Sequence, residues 1–69
     1  MAKIYDNKIG DYRCAMYKSK LGYTYKIFYN GKCVDRCYVN INDRLLCFNK
    51  MNDNLDMLLG YDQTLLGKL

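Results

Sequence analysis

A chain of 69 residues is expected to form one small domain over residues 1–69, and a fold of this size buries only ~60% of its unfolded surface. It contains no histidine, tryptophan, proline or glutamate, and its formal net charge is +4. That composition excludes an ordinary near-neutral base, argues against acidic mimicry of a phosphate backbone, and holds no apolar run near the ~20 residues of a membrane span.

Residues 3–5, Lys-Ile-Tyr, read as a short first strand, with turn chemistry from Asp6-Asn7-Lys8 and Gly10-Asp11 behind it. Residues 12–17 read as the next strand, with Tyr12, Cys14 and Met16 on one side and Arg13, Ala15 and Tyr17 on the other. Residues 18–22 form a longer hairpin loop. The strongest local signal follows, where two strand-like runs between Tyr23 and Tyr38 are joined by Asn30-Gly31. A two-residue type I′ turn needs positive φ at both central positions, and Asn-Gly tolerates this best.

With Tyr29 opposite Lys32, an unbroken ladder puts Ile27 opposite Val34, Tyr25 opposite Arg36 and Tyr23 opposite Tyr38. Those eight residues then share one face, and the pairs Phe28/Cys33, Lys26/Asp35 and Thr24/Cys37 share the other. Either face can lie under a helix. Burying Lys26 with Asp35 would cost desolvation that one ion pair seldom recovers, so Ile27 and Val34 are expected in the core. Whether Tyr25 and Arg36 meet solvent decides if the hairpin is scaffold or functional surface.

After Val39 the periodicity becomes helical. Leu45, Phe48, Leu55 and Leu58/Leu59 fall on one face, bridged by Met51 or Asn52, with Asn42 as N-cap, Asp43 in the first turn and Gly60 at the stop. Asn52-Asp53-Asn54 is a poor helix interior that could break or bend it. The competing reading makes residues 44–48 a fourth antiparallel strand. Residues 61–69 add a short turn around Thr64-Leu65-Leu66. The expected fold class is α+β: a three- to four-stranded antiparallel meander with one C-terminal amphipathic helix packed on one face.

Cys14, Cys33, Cys37 and Cys47 permit three disulfide pairings. The N-terminus becomes charged at Lys3 and has no apolar signal segment, so a cytoplasmic chain with reduced thiols is expected. On one strand face Cys33 and Cys37 would stand roughly 13 Å apart, beyond disulfide reach. With no C-x2-C knuckle and no histidine, zinc is disfavoured, and buried apolar thiols are the expected role. The five glycines lie singly, so no phosphate-cradling loop is present. Neither enzymatic activity, nor a cofactor, nor a metal site is expected.

Two binding functions remain. Residues 1–32 carry seven basic and two acidic side chains, whereas residues 33–69 carry four and five, so the N-terminal half faces anions. Tyr12, Tyr17, Tyr23, Tyr25 and Tyr29 interleave with Arg13, Lys18, Lys20 and Lys26, a composition that can stack bases and contact phosphates. The preferred expectation is recognition of a protein, because tyrosine and arginine dominate interface hot spots. The candidate partner-binding residues are Tyr23, Tyr25, Tyr29, Arg36 and Tyr38, with Lys18, Lys20 and Lys32 at the edge. An exposed strand edge also offers a second copy of the chain a place to pair.

In format, an antiparallel meander turning at Tyr29-Asn30-Gly31-Lys32 followed by a helix from about Asn42 to Leu59 resembles small phage-encoded inhibitors of the anti-CRISPR type. The resemblance covers about three quarters of the chain and rests on architecture rather than on any shared motif. It implies a protein of the host cytosol that blocks a larger nucleoprotein complex by occupying its surface.

Overall fold

The computed structural model describes the backbone of residues 2–67 and the side chains of residues 2–60. Residues 1, 68 and 69 of the expected domain therefore lie outside the described residues. Four strands, β1 (Ala2–Ile9), β2 (Tyr12–Lys18), β3 (Tyr23–Tyr29) and β4 (Lys32–Val39), form an antiparallel sheet in the order β1-β2-β3-β4, and α1 (Arg44–Gly67) follows. The α+β expectation of three to four strands holds, with four. Residues 6–8, expected as turn, continue β1, and the turn itself is Gly10-Asp11. Gly10 alone has positive φ there (61°), whereas both Asn30 (49°) and Gly31 (86°) have it in the β3–β4 turn, as a type I′ hairpin requires.

The β3–β4 register departs from an unbroken ladder after two pairs. Tyr29 faces Lys32 and Phe28 faces Cys33, but Ile27 then faces Asp35, Lys26 faces Arg36, Tyr25 faces Cys37, Thr24 faces Tyr38 and Tyr23 faces Val39. Val34 is the extra residue of a bulge, and every β4 residue beyond it changes face. The physical reason lies under the helix. The unbroken ladder would direct Arg36 inward opposite Tyr25, whereas the bulge turns Cys37 and Val39 inward and sends Arg36 and Tyr38 to the other face. Ile27 is fully buried as expected, but Val34 is 46% exposed. Lys26 and Asp35 are not partners, and Cys33 and Cys37 do not share a face.

A second bulge in β1 skips Ile4, between the pairs Lys3/Tyr17 and Tyr5/Met16. Ile4 and Tyr5 both pack against the core, and the Tyr5 ring lies 5.3 Å from that of Phe48. Lys3 stays on the opposite side of the sheet.

α1 crosses β3 and buries Cys47, Met51 and Leu55 on Cys14, Met16, Tyr25, Ile27 and Val39. Fully burying a side chain such as Met16, Ile27 or Met51 contributes about 1.5–3 kcal/mol. Spacing of four residues makes this stripe, and Leu45, expected on it, is 68% exposed. Residues 44–48 are helix, which removes the competing strand. The cap is Asp43, not Asn42. Its Oδ1 accepts from the Leu46 N–H at 3.1 Å, while Asn42 Oδ1 accepts from Lys18 Nζ at 3.2 Å.

Neither the Asn52-Asp53-Asn54 segment nor Gly60 ends the helix, which continues through the expected tail turn to Gly67. Asn54 has a specific use. Its Nδ2 donates to the Tyr25 hydroxyl, which donates to Asp35 Oδ2 at 3.0 Å. The polar chain ties helix, central strand and edge strand together, and among the described residues no buried side-chain nitrogen or oxygen lacks a partner. Burial, reinforced by the neighbouring Asp35 carboxylate, pushes the Tyr25 phenol up to about 12.

Candidate functional site

The helix leaves the far face of the sheet open, and the strand pairings order that face into three rows. Lys3, Tyr17, Thr24 and Tyr38 form the first; Asp6, Ala15, Lys26 and Arg36 the second; Lys8, Arg13, Phe28 and Cys33 the third. Successive rows stand about 7 Å apart and the four strands span roughly 14 Å. Five cations and one carboxylate lie here, for a formal +4, and the remainder of the chain has six basic and six acidic residues. With Asp11 of the adjoining turn counted, the open face carries a formal +3 of the protein's +4. Three aromatic rings, Tyr17, Phe28 and Tyr38, are set among these charges.

Local interactions organise the surface. The Tyr17 ring lies between two ammonium groups, with Lys26 Nζ 5.2 Å and Lys3 Nζ 6.0 Å from its centroid. Asp6 receives Arg13 Nε at 2.9 Å, Arg13 Nη2 at 3.1 Å and Lys3 Nζ at 3.2 Å. The Arg13 hydrogen bonds, then Lys3, hold the Asp6 carboxyl below the usual carboxylate range, and Asp6 in turn raises the Arg13 guanidinium. Among the described residues, Lys8, Lys26 and Arg36 have no ion-pair partner.

A depression of ≈ 470 Å³ lies on this face, within the ~300–1,000 Å³ range of small-ligand sites. Its floor is Ala15, 2% exposed, and Tyr17 and Phe28 flank it. Lys3, Lys8 and Arg13 supply its cations, and the two adjacent turns contribute Asp11, Asn30 and Gly31. The Asn30 N–H donates to the Asp11 carbonyl at 3.3 Å, joining those turns.

The residues expected to form one partner-binding patch are divided among several places. Tyr25 is 1% exposed in the core network, and Tyr23 packs at the core's edge with Lys18 Nζ 4.7 Å from its ring. Tyr29 lies on the helix side, its ring 4.9 Å from that of Tyr12, beside Lys32 at the turn. Lys20 is in the β2–β3 loop. Arg36 and Tyr38, the latter 50% exposed, are on the open face. The eight therefore do not share a surface.

Of the residues weighed for base stacking and phosphate contact, Arg13, Tyr17 and Lys26 meet on the open face; Tyr12, Tyr23, Tyr25 and Tyr29 do not. Lys3, Lys8 and Phe28 were not singled out in the sequence. Lys3 reaches this face only through the β1 bulge, and Arg36 and Tyr38 only through the β4 bulge, whereas Lys8 and Phe28 follow from plain alternation once the strand pairing is known. Cys14 and Cys47 are buried, and burial pushes both thiols up; Cys37 is half-buried and Cys33 exposed.

No family model, curated protein or solved structure matches the chain. Among the described residues, no group of three or more acidic, cysteine or histidine side chains is arranged to hold a metal ion, and no helix is long and apolar enough to cross a membrane.

Proposed function

We propose that this chain is a non-enzymatic binding protein whose open sheet face holds single-stranded nucleic acid. The observation that carries the reading is the concentration of most of the +4 charge, with Tyr17, Phe28 and Tyr38, on one uncovered face. Rings on an uncovered sheet face, here Tyr38 exposed and Tyr17 and Phe28 half-buried, stack on unpaired bases while the interleaved cations contact phosphates. A duplex hides its base faces in its own stack and would use the charges alone.

Fluorescence anisotropy with a labelled oligothymidylate tests this directly. Binding should weaken as salt rises, and Phe28→Ala should weaken it by about 1–3 kcal/mol with the melting temperature nearly unchanged. No salt-dependent binding at micromolar protein would overturn the proposal.

A second reading is a small inhibitor, like the phage-encoded anti-CRISPR type, that occupies a surface of a larger protein or nucleoprotein complex. It is favoured by apolar exposure on the helix side, where Val34, Met57 and Leu58 surround a ≈ 370 Å³ depression with Asp35 and Asn54. β4 is also an edge strand, able to pair with a partner or a second copy.

A further inference from the structure

The depression on the open face joins stacking surfaces to a hydrogen-bond acceptor. Tyr17 and Phe28 flank a floor made by Ala15, whose small side chain leaves the space between them, and Lys3, Lys8 and Arg13 surround it with positive charge. Asp11 lines the end of the depression, where it belongs to the β1–β2 turn and is held to the β3–β4 turn through its carbonyl. A carboxylate among cations is unhelpful for phosphate. It is suited to a partner that presents two adjacent donors.

We infer that the depression is a base-specific subsite that selects guanine, with the Asp11 carboxylate accepting hydrogen bonds from guanine N1–H and the 2-amino group while Phe28 contacts the base and Tyr17, farther along the depression, is left for the neighbouring base. The inference rests on the single-strand reading and adds to it the identity of one base. Guanine is the base with two neighbouring donors on its Watson–Crick edge. Adenine and cytosine each place an acceptor nitrogen beside their amino group, and thymine flanks its single N–H with two carbonyls, so each meets a carboxylate with at least one repulsive contact. A phosphate next to the base then falls beside Lys8, which has no ion-pair partner among the described residues. The base contact specifies and the cations position.

The test uses the intact chain and an octathymidylate whose central base is replaced in turn by guanine, hypoxanthine, adenine or cytosine, with affinities read by anisotropy. Guanine should tighten binding on the order of tenfold over the other three natural bases, as expected for one bidentate contact. Hypoxanthine keeps N1–H but lacks the 2-amino group, and should lose most of that gain without any change to the protein. Asp11→Asn preserves turn chemistry and should bring the guanine-to-thymine ratio close to one. Salt-dependent binding that is equal for all bases within twofold overturns the guanine subsite but leaves the single-strand function standing. A guanine preference that survives both hypoxanthine and Asp11→Asn overturns the role of Asp11, and failure to bind any of the oligonucleotides overturns both proposals.

Discussion

Asp6→Asn should strengthen nucleic-acid binding and steepen its salt dependence. In the native protein Asp6 engages Arg13 through two hydrogen bonds and Lys3 through one, while Lys8, Lys26 and Arg36 are free of carboxylates among the described residues. If only those three cations release counterions, the slope of log affinity against log salt is about −2, from roughly −0.7 per contact on a single strand. Raising salt from 50 to 200 mM then weakens binding about 20-fold. Freeing Arg13 and Lys3 brings the number to five, the slope to about −3.5 and the same loss to about 130-fold. The two titrations should differ most at low salt. The pair is exposed, so the melting temperature of the variant should stay close to that of the parent. A native slope near zero, or an identical slope in the variant, would refute the electrostatic account of the open face.

Two predictions concern the fold that carries this face. Tyr25 is neutral in the folded state up to about pH 12, against 10 for an unperturbed phenol, so its contribution is complete below pH 10 and is lost as pH rises toward 12. That difference corresponds to roughly 3 kcal/mol. Denaturant midpoints measured from pH 8 to 11.5 should fall in the native chain and flatten in Tyr25→Phe; equal slopes would contradict the assignment. At Gly22 an added Cβ would lie 2.0 Å from the Val39 carbonyl oxygen. Gly22→Ala should therefore cost about 1–3 kcal/mol and lower the melting temperature by roughly 5–20 °C, whereas an unchanged melt would show that the loop moves aside freely.

Local chemistry made much of the architecture legible. Asn30-Gly31 specifies a I′ hairpin whatever surrounds it, because few other pairs accept positive φ twice. Alternation in residues 12–17 correctly separated Tyr12, Cys14 and Met16 from Arg13, Ala15 and Tyr17. Helical spacing after Val39 located α1, although it favoured Leu45 over Cys47 for the buried stripe. A thiol carries a weaker hydrophobic signal than leucine, yet Cys47 is the residue that the helix sets over the sheet. Asn54 shows the reverse problem. Its low helix propensity suggests a break, and only its bond to Tyr25 across the helix–sheet interface reveals why it is there.

The sequence by itself determined the α+β class, the hairpin turn and the absence of histidine and glutamate for acid–base chemistry. Tertiary structure decided which side chains share a face. An extra residue at Val34 reverses the rest of β4, and one at Ile4 lets β1 direct Lys3 to one side and both Ile4 and Tyr5 to the other. Strand pairing alone has little reason to prefer these bulges, since each interrupts the ladder. Packing under the helix supplies that reason: Cys37, Val39, Ile4 and Tyr5 reach the core, Arg36 and Lys3 remain in water, and most of the protein's net charge gathers on the face the helix leaves uncovered.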